Sequence, residues 1–180
     1  MREARLIFAR DGFNGAHLAE LAGAAKVTTG AIYHHFHGKK GLFQAVAESV
    51  EQEILAGVRS AAIAASGAGP WGQLLAGIDA TMIISAEPDV QRIVYVDAPT
   101  VLGPAAWREI EMRYAFGTMN RAFANLVGAG IVTSATPDML AAIVLGALIE
   151  AAAAVARADD KPTALGEARE TMRRVLEALR

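Results

Sequence analysis

A short polar stretch near the N-terminus contains the side chains best suited to contacting a polyanion. Thr29, Gly30, Tyr33 and His34 supply a hydroxyl, a phenol, an imidazole and a glycine that lets another backbone come close. Such groups can hydrogen-bond to base edges and phosphates in the major groove of DNA. A polar helix face in contact with solvent accounts for the same residues, so this stretch alone leaves both interpretations open.

Two lysines just after this stretch favour an anionic partner. Lys39 and Lys40 follow Gly38, an acceptable N-cap, and therefore occupy the first turn of a predicted helix. Positive charge at that end opposes the helix dipole by roughly 0.3 to 1 kcal/mol per lysine, and a bound phosphate would offset this cost. The alternative is two exposed lysines whose small penalty is tolerated.

Other kinds of chemistry find little support in the sequence. The chain has no cysteine, which excludes disulfides, thiolate zinc sites and cysteine nucleophiles. His34 and His37 are three residues apart, but no close carboxylate completes a metal site. The glycines of residues 67–72 match a dinucleotide-binding pattern that lacks its preceding strand, and no G-x-S-x-G or S-x-x-K motif is present. We therefore expect no enzymatic activity, no metal and no cofactor.

Composition predicts an all-α protein with an uneven charge. Hydrophobic residues make up 53% of the 180 residues, and 39 alanines outnumber 25 valines and isoleucines. The net charge of −2 divides into +2 over residues 1–50, which hold all four histidines, and −4 over residues 51–180. A mildly basic head on an acidic body indicates an anionic partner for the head alone.

Residues 139–156 are apolar enough to be compared with a membrane span. They number eighteen and carry a single charge, at Glu150. The segment is barely long enough to cross a bilayer, and a charge within it is costly. We therefore expect a helix buried within protein, no membrane partner, no signal peptide and a cytoplasmic location.

Turn residues and apolar steps of three and four divide the chain into about nine predicted helices. A long fourth helix begins near Lys39 and ends before a predicted linker at residues 66–70. The other helices are predicted at about 2–10, 18–25, 29–35, 71–86, 89–96, 104–129, 137–158 and 163–179, with Pro104 and Pro137 as first helical residues.

The first three predicted helices have the spacing of a helix-turn-helix domain, with residues 25–28 as the turn. Leu21 lies on the inward face of the second helix, and Val27 is predicted to fill the turn. Ile32 and Phe36, four residues apart, anchor the third helix in the same core. The polar stretch then faces outward.

The residues of this head resemble a known family of regulators. The segment FARDGFNGAHLAELAGAAKVTTGAIYHHFHGKKGLFQAV is similar to the DNA-binding domain of the tetracycline-repressor (TetR) family of bacterial transcriptional regulators. The matching motifs are F-A-x-x-G-F, L-A-E-L-A, A-x-V-T-x-G-A-I-Y-H-H-F and K-x-x-L-F, in the family's order and spacing. The resemblance implies a homodimer of all-α subunits whose third helix enters the major groove of double-stranded DNA.

The resemblance also implies particular contacts and domains. Tyr33 and Lys39 occupy positions that commonly meet backbone phosphate, whereas Thr29 replaces a frequent lysine and Lys26 a frequent turn glycine. We expect a DNA-binding domain at 1–46 and an effector-binding and dimerisation domain at 47–180. The candidate DNA-contacting residues are Lys26, Thr28, Thr29, Gly30, Tyr33, His34, His35 and Lys39.

The body resembles regulatory domains of the same family in the runs QLLAGIDA, VQRIVYVDAPTVLG, W-R-E-I-E and ARADD. This resemblance implies a pocket for an unknown small molecule, which we expect to be largely apolar with one or two polar groups. Aromatic and methionine side chains at helical spacing also suit a plain core. The candidate pocket residues are Met82, Tyr95, Asp97, Trp107, Arg108, Tyr114, Met119, Asn120 and Phe123.

The two last predicted helices suit a dimer interface. The eighth is apolar almost all round, and with the ninth it can form half of a four-helix bundle across a two-fold axis, although a single chain could bury it internally. The candidate interface residues are Leu148, Ala152, Leu165, Met172, Val175, Leu176 and Leu179. The sequence thus predicts a ligand-responsive repressor that binds a palindromic operator, the alternative being a helical ligand-binding or interaction protein that does not touch DNA.

Overall fold

A computed structural model describes residues 1–133 and 135–180, and within them the chain is helical with short connections. The elements are α1 (Arg2–Gly15), α2 (Leu18–Ala24), α3 (Thr29–Phe36), α4 (Lys39–Ala64), a 3-10 turn (Ser66–Ala68), α5 (Gly69–Ser85), α6 (Pro88–Val90), a π-helix (Gln91–Asp97), α7 (Ala98–Leu102), α8 (Pro104–Gly128), α9 (Pro137–Arg157) and α10 (Lys161–Glu177). Because α6, the π-helix and α7 follow one another directly, the described residues form nine helical segments. The all-α prediction is confirmed.

The predicted helix bounds differ from the structure mainly in three places. At Gly12 the dihedrals leave the helical region (φ 68°, ψ 175°), but one more turn continues to Gly15, so this glycine kinks α1 instead of ending it. The predicted linker at 66–70 is a 3-10 turn that leads straight into α5. The helix predicted at 89–96 spans residues 88–102, and its middle is a π-helix between two short α-helices.

Local chemistry accounts for where the helices begin. The hydroxyl of Thr28 accepts a hydrogen bond from the Ala31 amide at 3.1 Å, and Asp160 accepts one from the Thr163 amide at 3.2 Å. Prolines occupy the first turns of α5, α6, α8, α9 and α10, where the missing amide costs nothing. Helices α8 and α9 begin at Pro104 and Pro137, as predicted.

The buried side chains form two cores. The first joins α1 to α4 with the 88–102 segment and the start of α8, and it includes Phe8, Phe43 and Trp107. The rings of Phe8 and Phe43 meet edge to face at 5.1 Å. The second core joins α5, α8, α9 and α10 around Phe123 and Leu148. The head therefore shares its core with part of the body.

Helix α9 is long and apolar enough to cross a membrane, with a mean hydropathy of 2.3. In this fold one side of α9 packs against α8 and α10, where Leu140, Val144 and Leu148 are buried. Its other side leaves Met139 and Ile143 exposed. The packed side is that of a core helix, and the exposed side requires a separate explanation.

Candidate functional site: the outer face of α3 and an apolar cavity

The outer face of α3, formed by Thr29, Gly30, Tyr33 and His34, is open to solvent. Ile32 anchors the opposite side of the helix in the first core and is 3% exposed, whereas Tyr33 is 59% exposed. The other three residues of the outer face are exposed as well. Helix α3 therefore presents hydrogen-bonding groups and no aliphatic side chain in the direction away from the core.

The flanks of α3 add further polar groups. His35 is exposed, and its ring contacts that of His34 edge to face at 4.9 Å. Thr28 is exposed too, and its hydroxyl is engaged in capping α3. Lys26 is exposed in the turn between α2 and α3, with a left-handed φ of 55°. A left-handed conformation is the one that a glycine adopts without strain, which explains the glycine common at this position.

Two residues of the head lie differently from the sequence prediction. Val27 was predicted to fill the turn, but its side chain is 46% exposed, because the core beneath the turn is already closed by Leu21, Ala22 and Ile32. The ammonium of Lys39 does not point into solvent. It donates to the carbonyl oxygens of Phe13 at 2.8 Å and Ala16 at 2.9 Å.

Lys39 thus connects the start of α4 to the end of α1. Its Nζ also lies 4.4 Å from the centre of the Phe13 ring, within the range of a cation–π contact. The two carbonyl groups belong to the orphan acceptors at a helix end, which basic side chains commonly satisfy. In the described structure Lys39 therefore links α4 to the end of α1. For the predicted phosphate contact, its ammonium group must use its third N–H or the side chain must adopt a different rotamer.

The π-helix links the head to the body. Asp97 Oδ2 accepts a hydrogen bond from the Phe13 amide at 2.8 Å and another from Arg92 Nε at 3.2 Å. The Arg92 guanidinium packs so closely on Gly12 that an added Cβ would lie 1.9 Å from Nη2. The positive φ of Gly12 accounts for the glycine at the kink, and the π-helix contacts the end of α1 through Asp97 and Arg92. π-Helical turns often occur at functional sites.

An apolar cavity of about 250 Å³ lies between the two cores and is bounded by α4, α5, α8, α9 and the π-helix. Aliphatic side chains form most of its walls, and Tyr95 of the π-helix lies at its edge, with its hydroxyl 2.8 Å from Ser85 Oγ. The lining residues include Ile54, Leu55, Val58, Leu74, Ile78, Tyr95, Tyr114, Met119, Leu145, Leu148 and Ile149. The cavity thus touches the same element that holds the head.

Two carboxyl groups also line this cavity, and both are nearly excluded from solvent. Glu51 of α4 is 8% exposed and Glu111 of α8 is 6% exposed. Burial raises the pKa of Glu51 to about 8, and the neighbouring Glu111 acts in the same direction. Burial likewise raises the pKa of Glu111 to about 7, while the positive charge of Arg108 acts against the shift. At neutral pH the carboxyl group of Glu51 in the empty cavity is therefore mostly protonated, and that of Glu111 is about half protonated.

Three of the nine predicted pocket residues line the cavity: Tyr95, Tyr114 and Met119. The structure places the others elsewhere among the described residues. Met82 and Phe123 are fully buried in the second core and Trp107 in the first, because their apolar bulk fills those cores. Asp97 binds the head, Asn120 hydrogen-bonds to Asp138, and Arg108 packs towards Gly146 of α9.

Sequence reasoning missed Glu51 and Glu111, although a signal was present. Glu51 interrupts the apolar stripe of α4 between Ala47 and Ile54, on the buried side of the helix. Glu111 follows Trp107 by one helical turn and shares its inward face. A charged residue inside an apolar stripe is expected to be buried, and a buried ionisable residue is a candidate functional residue. Within residues 1–133 and 135–180 no group of three or more His, Asp or Glu side chains could hold a metal ion.

Two family models match the chain and together cover the head and the body. Residues 1–46 match the model described as bacterial regulatory proteins of the tetR family, and residues 71–179 match that of a tetracyclin repressor-like C-terminal domain. The chain belongs to the TetR family. It is thus a TetR-family transcriptional regulator, and members of this family bind DNA, dimerise and bind small-molecule effectors.

Individual relatives agree with the family assignment. A TetR-family transcriptional regulator from Pectobacterium atrosepticum superimposes with a TM-score of 0.87 at 31% identity, over 99% of this chain and 90% of that one. A regulator structure from Mesorhizobium loti shares the fold at 19% identity, with a TM-score of 0.73 over 98% and 93% of the chains. The Transposon Tn10 TetC protein of Escherichia coli is 42% identical over 45 residues, which span only 23% of that protein and 25% of this chain.

Proposed function

We propose that this TetR-family regulator is a ligand-responsive repressor, a homodimer that binds a palindromic operator and releases it when a small, largely apolar effector enters the cavity. Residues 1–46 form the DNA-binding domain and 47–180 the effector-binding and dimerisation domain. The observation that carries the proposal is the π-helix, which lines the cavity with Tyr95 and holds the α1 end with Asp97. An effector that shifts this helix changes the spacing of the two heads.

DNA recognition is assigned to the outer face of α3 and its flanks. Thr29 and His34 are proposed to read base edges, with Gly30 allowing close approach. Lys26, Thr28, Tyr33 and His35 surround them and are proposed to position the helix on phosphates. Lys39 keeps a supporting role, because its ammonium already binds the Phe13 and Ala16 carbonyls.

The dimer interface is assigned to the exposed sides of α9 and α10. Of the seven residues predicted for it, Leu148, Ala152, Met172 and Leu176 are buried within the subunit, where they join α9 to its neighbours. Leu165 and Leu179 are half-buried, and Val175 is exposed. Val175 therefore remains a proposed contact, and the exposed Ile143 of α9 takes the place of the buried four. Both lie beside a shallow groove lined by small residues such as Ala147, Ala151 and Ala168.

The oligomeric state tests this interface. Light scattering after size exclusion is expected to give a dimer for the wild-type chain and a monomer for the variants Ile143→Arg and Val175→Arg. Ile63→Arg, at an exposed residue of α4, serves as the matched control and should stay dimeric. A monomeric wild-type chain at micromolar concentration contradicts the proposal.

Selection from random DNA duplexes, followed by fluorescence polarisation at several salt concentrations, tests the regulator function directly. We expect an enriched inverted repeat whose half-sites lie about 34–36 Å apart or at a multiple of this distance, bound with a salt-dependent affinity. Tyr33→Ala should weaken binding to all sequences, whereas His34→Ala and Thr29→Ala should change the preferred sequence. A folded dimer that binds without salt dependence or sequence preference supports the alternative, a helical ligand-binding protein that does not act on DNA.

A further inference from the structure

The acids of the cavity are the feature that the proposed function leaves unused. Glu51 lines the cavity, is buried, and its carboxyl group has no hydrogen bond or ion pair among the described residues. Glu111 faces the same space, with Arg108 near enough to act on its charge but outside ion-pair distance, and the buried indole N–H of Trp107, one turn earlier, acts on its carboxyl group as well. Buried acids without partners cost free energy, and apolar side chains of similar volume would fill the same space at lower cost.

The chemistry of the cavity restricts what could offset this cost. Most of its walls are aliphatic and suit an apolar body, and its polar lining combines the amides of Gln73 and Asn125 and the hydroxyls of Thr81 and Thr118 with the two acids, which ionise near neutral pH. A carboxylate or phosphate ligand would oppose ionisation of the acids and would find no positive partner in the lining. A hydrocarbon would leave the Glu51 carboxyl without a partner. A cationic nitrogen satisfies both acids, because charge-assisted hydrogen bonds to carboxylates are among the strong ones.

We propose that the effector cavity binds a lipophilic organic cation, with its ammonium group between Glu51 and Glu111 and its apolar body along α5 and α9. This inference rests on the proposed function only for the statement that the cavity is the effector site. Tyr95 and Ser85 lie beside the cavity, and their hydroxyl oxygens are 2.8 Å apart. Because Tyr95 belongs to the π-helix, a bound cation can act on that helix through this hydrogen-bonded pair.

Proton release accompanies binding of such a cation. With pKa values of about 8 and about 7, Glu51 is mostly protonated and Glu111 about half protonated in the empty cavity at neutral pH. The charged and titratable groups around the pair are Glu48, Tyr95, Arg108 and Tyr114, and the lining residues contributed by α5 and α9 carry no charge. A cation favours the carboxylates, so its affinity should rise with pH until the acids are already ionised.

A matched set of probes with one apolar body tests the proposal: 4-phenylbutylamine, 4-phenylbutanol and 4-phenylbutyrate, titrated into the full-length protein by calorimetry. At pH 8 we expect the amine to bind at least about tenfold more tightly than the alcohol, and the carboxylate most weakly. From pH 6 to pH 8 the affinity for the amine should rise by about tenfold, and buffers of different ionisation enthalpy should report a released proton.

Three variants assign the effect to the acids. Glu51→Gln and Glu111→Gln keep the shape of a protonated acid and are expected to fold, which circular dichroism checks. Each should reduce amine affinity to near that of the alcohol and leave alcohol binding unchanged. Glu109→Gln removes the same charge from the exposed side of α8 and should behave as the wild type.

The outcomes separate this inference from the proposed function. Equal affinity for amine and alcohol, tighter binding of the carboxylate, or no binding of any probe overturns the cation proposal. Amine binding that responds to Glu51→Gln but does not weaken DNA binding keeps the cation site and contradicts the effector role. Failure of DNA selection, measured on the same protein without probes, contradicts the repressor function and leaves the calorimetric result intact.

Discussion

The outer face of α3 and the cavity place polar chemistry in opposite surroundings. On α3 the polar groups face water, and Tyr33 is 59% exposed. In the cavity Glu51 and Glu111 are enclosed by apolar walls, and their pKa values are raised. Exposed polar groups cost little folding free energy and can bind a large charged partner. Buried acids cost folding free energy and restrict which ligands the cavity can bind. The two regions are nevertheless connected, because the π-helix lines the cavity with Tyr95 and binds the end of α1, in the same head as α3, with Asp97.

The first core contains residues of both the head and the body, so a substitution in it tests whether the two unfold together. Of the predicted effects on stability, that of a substitution at Phe43 is the largest. Phe43 is fully buried and contacts the rings of Phe8 and Phe13 at 5.1 and 5.3 Å. Phe43→Ala should lower the free energy of unfolding by about 3 to 5 kcal/mol. Urea unfolding followed by circular dichroism and by tryptophan fluorescence should give coincident transitions, since Trp107 reports on this core and Trp71 on the second core.

Tyr33→Ala is the matched control, because it removes an exposed aromatic ring from the same head and should leave the unfolding free energy nearly unchanged. If Phe43→Ala melts the head while the body keeps its full cooperativity, the head is an independent folding unit. The shared core would then not couple the two regions.

Stability against pH sharpens the contrast between exposed and buried polar groups. Glu51 has a pKa of about 8 in the folded chain, against about 4.5 for a glutamate in the unfolded chain, so the folded state binds more protons between these two pH values. Stability should therefore be highest near pH 5 and fall as pH rises to about 9, with Glu111 adding to the slope. The loss is on the order of a few kcal/mol, since one pKa unit corresponds to about 1.4 kcal/mol.

Thermal unfolding from pH 5 to pH 9 measures this slope. Glu51→Gln should flatten it, because an amide has no proton to lose, whereas Glu109→Gln should reproduce the wild-type curve. Unfolding temperatures that rise between pH 5 and pH 8 in the wild type and not in Glu51→Gln would show that Glu51 is ionised and stabilised when folded.

The two regions also differ in how far the sequence predicts them. The outward face of α3 follows from local periodicity: once Ile32 and Phe36 are assigned to the core, helical geometry fixes the direction of their neighbours. The cavity depends on long-range packing, in which α4 and α8 bring Glu51 and Glu111 to one space. Large apolar side chains such as Phe123 and Met82 therefore looked like pocket residues and proved to be core. Lys39 escaped prediction for a similar reason, because its acceptors lie in α1.

The role of Lys39 gives a prediction of intermediate size. Its ammonium donates two hydrogen bonds to the Phe13 and Ala16 carbonyls, so Lys39→Ala should lower the unfolding free energy by about 1 to 3 kcal/mol. Lys40 is exposed one residue later, and Lys40→Ala should have almost no effect on stability. Chemical denaturation of both variants, beside polarisation with the selected duplex, separates a structural role from a phosphate contact. Unchanged stability with lost DNA affinity in Lys39→Ala would assign this lysine to the outer surface after all.

The smallest expected effect on stability is at Lys26. The charge of its exposed side chain favours DNA binding, whereas its strained backbone lowers the stability of the fold. Lys26 adopts a φ of 55°, and a glycine takes this conformation without strain, but it also gains freedom in the unfolded chain. Lys26→Gly should therefore stabilise the protein by at most about 1 kcal/mol. It also removes a positive charge beside α3, so DNA affinity should fall about two- to tenfold and its dependence on salt should decrease by about one ion.

Lys26→Ala separates the effect of the charge from that of the backbone, since it loses the charge and keeps the backbone strain. Its salt dependence should match that of Lys26→Gly, and its stability should not exceed that of the wild type. If both variants bind DNA as the wild type does, Lys26 contributes only to the turn, and the phosphate contacts of the head lie on α3 itself.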